Sequence, residues 1–148
     1  LVIVPFRTML HMLTDTDRRA ALRAIHARLS EGGRFVFDVF TPGEEDIAET
    51  HGVWLEREPG IFERADWDDA TRTLVLRVRG EGVETELSLA WLSAEEWHLL
   101  LAEEGFRVEG LYGWFDGTPY AERQLARFAD FYQGDAVNAS PRFATEAA

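Results

Sequence analysis

Hydrophobic positions follow two different rhythms along this chain. Leu1-Val2-Ile3-Val4 is a continuous apolar run, the mark of a strand buried on both faces, and Pro5 ends it. Phe6 to Leu13 mixes apolar and polar residues and reads as a turn. A helix follows. Thr14 is its N-cap, Asp15 and Asp17 sit in the first turn where the helix dipole favours acid, and Leu22, Ile25 and Leu29 recur at helical spacing toward a sheet. Gly32 and Gly33 are expected to end the helix, because the residue just beyond a helix favours a left-handed conformation. Arg34 to Phe40 is a second buried strand, stopped by Thr41-Pro42-Gly43. Leu1 to Phe40 is therefore a complete β-α-β unit. A parallel pair with one crossover helix cannot bury both its faces, so part of the sheet is expected to be missing from the chain.

From about Val53 to Leu92 the period changes to two. Ile61–Trp67, Thr73–Arg79 and Val83–Trp91 read as strands of an antiparallel meander, joined by Asp68-Asp69-Ala70-Thr71 and Gly80-Glu81-Gly82. Val83, Thr85, Leu87, Leu89 and Trp91 share one face of the last strand, while Glu84, Glu86 and Ser88 share the other. Glu63, Asp66, Glu84 and Glu86 are expected on a solvated face, with Arg64, Arg77 and Arg79 as cross-strand partners. Ser93 and Glu96 form a capping box for a second helix whose buried stripe is Trp97, Leu100 and Leu101, with Gly105 at its end. Phe106 to Phe115 is a further strand. Ala121 to Tyr132 has helical spacing, and the Ala-, Ser-, Asn- and Gly-rich tail at 133–148 is expected to be disordered.

Composition narrows the function. Fifteen basic residues against 27 acidic ones give a net charge of −12, which repels phosphate backbones and anionic lipid. Nucleic acid and membrane surfaces are therefore poor partners. The absence of Cys excludes disulfides, thiol nucleophiles and Cys-metal sites, and the four His share no spacing that suits a metal. No apolar run approaches the ~20 residues of a membrane span. Leu-Val-Ile-Val-Pro has no basic stretch and is too short for a signal peptide, so a cytoplasmic, soluble protein is the simplest reading.

The ordered motifs carry a family resemblance. Val2-Ile3-Val4-Pro5-Phe6-Arg7-Thr8-Met9-Leu10-His11-Met12-Leu13, followed by Leu29-Ser30-Glu31-Gly32-Gly33-Arg34-Phe35-Val36-Phe37-Asp38-Val39-Phe40, resembles the second half of a class I S-adenosylmethionine-dependent methyltransferase, from the fourth strand onward. Leu29-Ser30-Glu31-Gly32-Gly33 is similar to the "vLxPGG" element of that family, with Glu31 in place of the usual Pro. Ala102-Glu103-Glu104-Gly105-Phe106-Arg107-Val108 resembles the "aGF-v" entry to its sixth strand, and Leu111-Tyr112-Gly113-Trp114-Phe115-Asp116-Gly117 is similar to a segment of its small-molecule members. The resemblance implies an α/β fold: a partial Rossmann-like methyltransferase sheet over residues 1–132, with an antiparallel meander inserted at 53–92. It departs from the family in two ways. The glycine-rich loop and the acidic residue that hold the cofactor lie upstream of the fourth strand in the family and are absent here. The family normally ends with an antiparallel strand inserted between its fifth and sixth, whereas residues 121–132 here look helical.

Ligands of open α/β sheets bind beyond the carboxyl ends of the parallel strands, here Pro5–His11 and Asp38–Pro42. By the resemblance, Pro5, Phe6 and Arg7 line the cofactor side, although the same residues also suit a plain turn with Phe6 in the core. His11 is a candidate general base for the acceptor's proton or simply a packed histidine, since orientation alone supplies much of the rate of methyl transfer. Asp38 either meets a polar or cationic substrate group or caps the next turn. Tyr112 and Trp114, with Phe115, form either an aromatic wall for substrate or core. The meander is either a lid over the acceptor pocket or a dimerisation sheet.

The expectation is thus S-adenosylmethionine-dependent methyl transfer to a small-molecule acceptor, with no metal, in a chain that lacks the N-terminal cofactor-binding half and is inactive by itself. A homodimer is left open. The alternative is a non-catalytic binding or dimerisation module derived from such an enzyme.

Overall fold

A computed structural model describes residues 1–113, 117, 119–120 and, as backbone, 142–147. The opening unit forms as its pattern predicts. Strands β1 (Val2–Val4) and β2 (Arg34–Asp38) pair in parallel, with Val2 opposite Phe35 and Val4 opposite Phe37. A 3-10 turn at Thr8–His11 buries Met9 and Leu10 and leads into the crossover helix α1 (Asp15–His26). Thr14 caps that helix by accepting from the Asp17 amide at 3.1 Å. The helix stops at His26, well short of the glycines, because the Arg28 and Leu29 amides both turn onto the Ile25 carbonyl. Gly33 instead makes the tight entry to β2, where a Cβ would lie 2.6 Å from the Ser30 carbonyl oxygen.

Two elements of the connection to the meander carry weak sequence signals. Helix α2 (Glu44–Thr50) is short and has Ile47 as its one large apolar residue; acid in its first turn and a hydrogen bond donated by Gly43 N–H to Asp46 Oδ2 at 2.8 Å hold its start. Strand β3 (Trp54–Glu58) carries a bulge that breaks its alternation between Glu56 and Glu58. The remaining strands, β4 (Ile61–Asp68), β5 (Thr73–Gly80) and β6 (Val83–Ala90), match the meander closely. Together β3-β4-β5-β6 form a four-stranded antiparallel sheet in chain order. Its polar face holds Asp66 between Arg64 and Arg77, with Arg77 also reaching Glu86 at 2.9 Å. Glu63 is a correction. The period of two puts it on the face of the buried Ala65 and Trp67, where it pairs with Arg57 at 3.1 Å instead of meeting solvent.

Helix α3 (Ala94–Glu103) begins in the expected reciprocal box: Glu96 N–H donates to Ser93 Oγ at 3.1 Å and Ser93 N–H donates to Glu96 Oε2 at 2.8 Å. Gly105, at φ 85°, turns the chain into β7 (Phe106–Tyr112). The last strand, β8 (Arg142–Ala147), overturns the disordered reading for those six residues. It lies antiparallel between β2 and β7, completing a second four-stranded sheet of order β1-β2-β8-β7. Its sequence has little strand preference of its own, so its conformation depends on two waiting neighbours that satisfy its backbone on both sides. Trp114, the helix expected at 121–132 and the rest of the tail lie outside the described residues.

One core serves both sheets. Phe35 and Phe37 face α1 and α3, with Phe37 packed on Trp97 at 5.2 Å and His26 on Phe106 at 5.2 Å. Trp97, Leu22 and Leu101 are fully buried there, each contributing about 1.5–3 kcal/mol of transfer free energy. Arg19 bonds Glu103 and Glu104, and Arg23 bonds Glu104, clamping α1 to α3. The opposite face of β1 is a second correction: Ile3 remains 59% exposed, because α1 and α3 both cover the face of Phe35 and Phe37.

Candidate functional site

Among the described residues, the carboxyl end of β1 is the one place where two consecutive non-glycine residues take positive φ. Phe6 and Arg7 both lie in the left-handed region, at φ 58° and 59°. Neither is Gly, Asn or Asp, so the pair costs about 1–2 kcal/mol per residue. Local bonds close the turn: Thr8 N–H and Oγ1–H both donate to the Pro5 carbonyl, at 3.3 and 2.6 Å. A long-range bond anchors it, from Arg7 N–H to Asp38 Oδ2 at 3.2 Å, and the Arg7 guanidinium lies 5.5 Å from the centre of the Phe40 ring. The outcome is that Phe6 is 89% exposed instead of joining the core, while Asp38 is only 6% exposed.

The two carboxyl ends thus meet through Asp38, which neither caps the following turn nor reaches a second partner among the described residues. Tyr112 lies level with it. Asp38 and Tyr112 are both in register with Arg142, so they are two strand spacings, roughly 10 Å, apart on the same face and at the same end of the sheet. The Tyr112 ring folds over Gly110, where a Cβ would come within 2.6 Å of Tyr112 Oη. His11 ends the 3-10 turn with its side chain exposed. Trp114 lies outside the described residues. No group of side chains among the described residues is arranged to hold a metal ion.

The sequence reading missed how the meander is tied to this end. Phe40, Trp67 and Trp91 stack edge-on in series at 6.1 and 5.4 Å, all buried. Trp67 Nε1–H donates to Thr50 Oγ1 at 2.8 Å, Thr50 Oγ1–H donates to the Asp46 carbonyl, and Trp67 N–H donates to His51 Nδ1 at 3.1 Å. The line from Arg7 through Phe40 to Trp67 and Trp91 therefore connects the strained turn to the second sheet. The usable signal was Pro42-Gly43 followed by three acids, which marks the start of α2.

No family model and no curated protein matches the chain. Solved structures do. A S-adenosylmethionine-dependent methyltransferase from Clostridium acetobutylicum superimposes with a TM-score of 0.74 at 10% identity, covering 98% of this chain and 56% of its own. The CcbJ methyltransferase of Streptomyces caelestis gives 0.75 at 19% identity, covering 99% and 60%. CalS10 of Micromonospora echinaspora, an amino pentose methyltransferase seen with S-adenosylmethionine bound, gives 0.56 at 20% identity, covering 99% and 58%.

The chain has the fold of S-adenosylmethionine-dependent methyltransferases. At these identities the likeness is one of fold, and the chain spans somewhat over half the length of each of these methyltransferases. Within this sheet β8 supplies an antiparallel strand between β2 and β7, the position for which the sequence left the family's last strand open. Among the described residues no helix is long and apolar enough to cross a membrane.

Proposed function

We propose that this chain forms the acceptor-side part of a methyltransferase that uses S-adenosylmethionine and acts on a small molecule, as a soluble, cytoplasmic enzyme without a nucleic-acid partner. The observation that carries the reading is the left-handed Phe6–Arg7 turn pinned to Asp38 where the two parallel strands end. When bound, S-adenosylmethionine supplies a methyl group on a positively charged sulfur. The residues present suit that cationic end: an exposed aromatic ring at Phe6, and the buried Asp38 carboxylate, whose second oxygen meets no donor among the described residues.

In this reading Pro5, Phe6 and Arg7 form the cofactor edge, and Asp38 and Tyr112 face the acceptor from one level of the sheet. In the same reading His11, exposed at the end of the 3-10 turn, takes the acceptor's proton. Most of the acceleration comes from holding the nucleophile in line, which asks for rigid walls more than for a strong base. The meander, tied to the turn through Phe40 and Trp67, acts as the acceptor lid, and its exposed outer end leaves room for a second copy of the chain.

The test is transfer of labelled methyl from S-adenosylmethionine to a panel of amines, alcohols, phenols and carbon acids by the gene product that carries these residues. Transfer that falls at least tenfold in Phe6→Ala and Tyr112→Ala supports the reading. Absence of both transfer and S-adenosylmethionine binding overturns it. The 148 residues alone are expected to show no micromolar affinity for the cofactor by isothermal titration.

A further inference from the structure

The described residues hold two further left-handed residues that are not glycine, Arg72 and Glu81, and each sits between consecutive antiparallel strands, where the reversal of the chain asks for positive φ. Phe6 and Arg7 have no such cause. They occupy both central positions of a Pro5–Thr8 turn that leads from a strand into a 3-10 helix. A turn with positive φ at both centres is normally built from Gly, Asn or Asp. A bulky aromatic residue in that conformation persists only where its surroundings over-determine it.

The groups that touch the turn show which surroundings do so. Both Thr8 bonds end on Pro5, so they close the loop without reaching any other element. Arg7 is held from outside at its side chain, whose guanidinium lies over the Phe40 ring, and at its backbone by Asp38, which comes from the neighbouring strand and accepts from the Arg7 amide; only the second of these acts on the backbone directly. Asp38 is almost wholly buried, at 6% exposure. A carboxylate acceptor is also stronger than a neutral one.

We infer that Asp38 is the positioning residue of the Phe6–Arg7 turn: its carboxylate holds both residues left-handed and thereby sets the Phe6 ring outward. Without that acceptor, Phe6 and Arg7 relax to negative φ and the ring leaves the carboxyl edge. Asp38 then acts through Phe6, on the cofactor side, in addition to any contact it makes with an acceptor. The inference takes its functional meaning from the methyltransferase reading but concerns backbone geometry, so it is tested apart from activity.

The experiment is solution NMR on the labelled 148-residue chain, using the three-bond couplings that separate positive from negative φ at Phe6 and Arg7, together with the Phe6 ring shifts. Wild type is expected to show positive φ at both residues. Asp38→Asn, which keeps a carbonyl acceptor, is expected to retain it, and Asp38→Ala to lose it. Adding Phe6→Gly and Arg7→Gly to Asp38→Ala is expected to restore positive φ at both positions, since glycine needs no outside hold. Retention of positive φ in Asp38→Ala, loss of it in Asp38→Asn, or negative φ in the wild type itself overturns the inference. Because the wild-type measurement needs no variant, misfolding of Asp38→Ala does not protect it. None of these readings depends on S-adenosylmethionine binding, so a failed transfer assay with an intact turn counts against the methyltransferase reading alone.

Discussion

The two sheets of this molecule have the same number of strands and were built by opposite strategies. In the meander each strand pairs with the next one in the chain, so every partner is close at hand. In the first sheet β1 reaches β2 across a helix, and β8 reaches β2 across almost the whole chain. The meander is exposed at its outer end, with Val83 61% and Leu87 36% accessible, whereas β2 carries Phe35 and Phe37 at 0% and 1%. Short-range pairing can hold a sheet with little packing. Long-range pairing needs a dense core to offset the cost of closing large loops.

The largest test of that contrast is Trp97→Ala. Trp97 is fully buried and packs on Phe37, so its loss is expected to cost about 3–5 kcal/mol in denaturant unfolding. Amide exchange is expected to accelerate most in β2 and β7 and less in β4 and β5. Equal acceleration in both sheets would break the distinction.

A smaller effect should come from acid. The hydrogen bonds of Arg23 and then Arg19 hold the Glu104 carboxyl below its usual range. A depressed folded value means the stabilisation is present above the unfolded value, about 4.3, and is lost as pH falls through the folded one. Wild type is therefore expected to melt above Glu104→Gln at pH 7 and to lose that advantage below about pH 4. A margin unchanged by acid would mean that the clamp between α1 and α3 contributes nothing ionic.

The smallest effect is expected at the outer end of the meander. Leu87→Ser should change stability by no more than about 0.5 kcal/mol, as at any open surface position. A loss above about 1 kcal/mol, or a shift in sedimentation, would show that this face is covered in solution.

Legibility followed the same division. The meander strands, the Ser93–Glu96 box and the Thr14 cap are local patterns, and the structure keeps them. Strand β8 left no local pattern, because its conformation comes from β2 and β7 on either side. At Glu63 charge argues for solvent and the period of two for the face of Ala65 and Trp67, and the pairing with Arg57 lets the period decide. At the site, the ends of β1 and β2 followed from strand order and the resemblance. The left-handed turn did not, because nothing in Phe6-Arg7 asks for positive φ; the reason lies in Asp38, on another strand.

The place of β8 also bears on how the chain is made. On a ribosome β2 emerges about a hundred residues before the strand that must bridge it to β7, so the first sheet stays open while those residues are made and the meander is free to close as it appears. Until then β2 and β7 each present a bare backbone edge, a target for chaperones or for a neighbouring nascent chain. A truncation that removes Arg142–Ala147 would not trim this sheet at its margin; it would divide it through the middle.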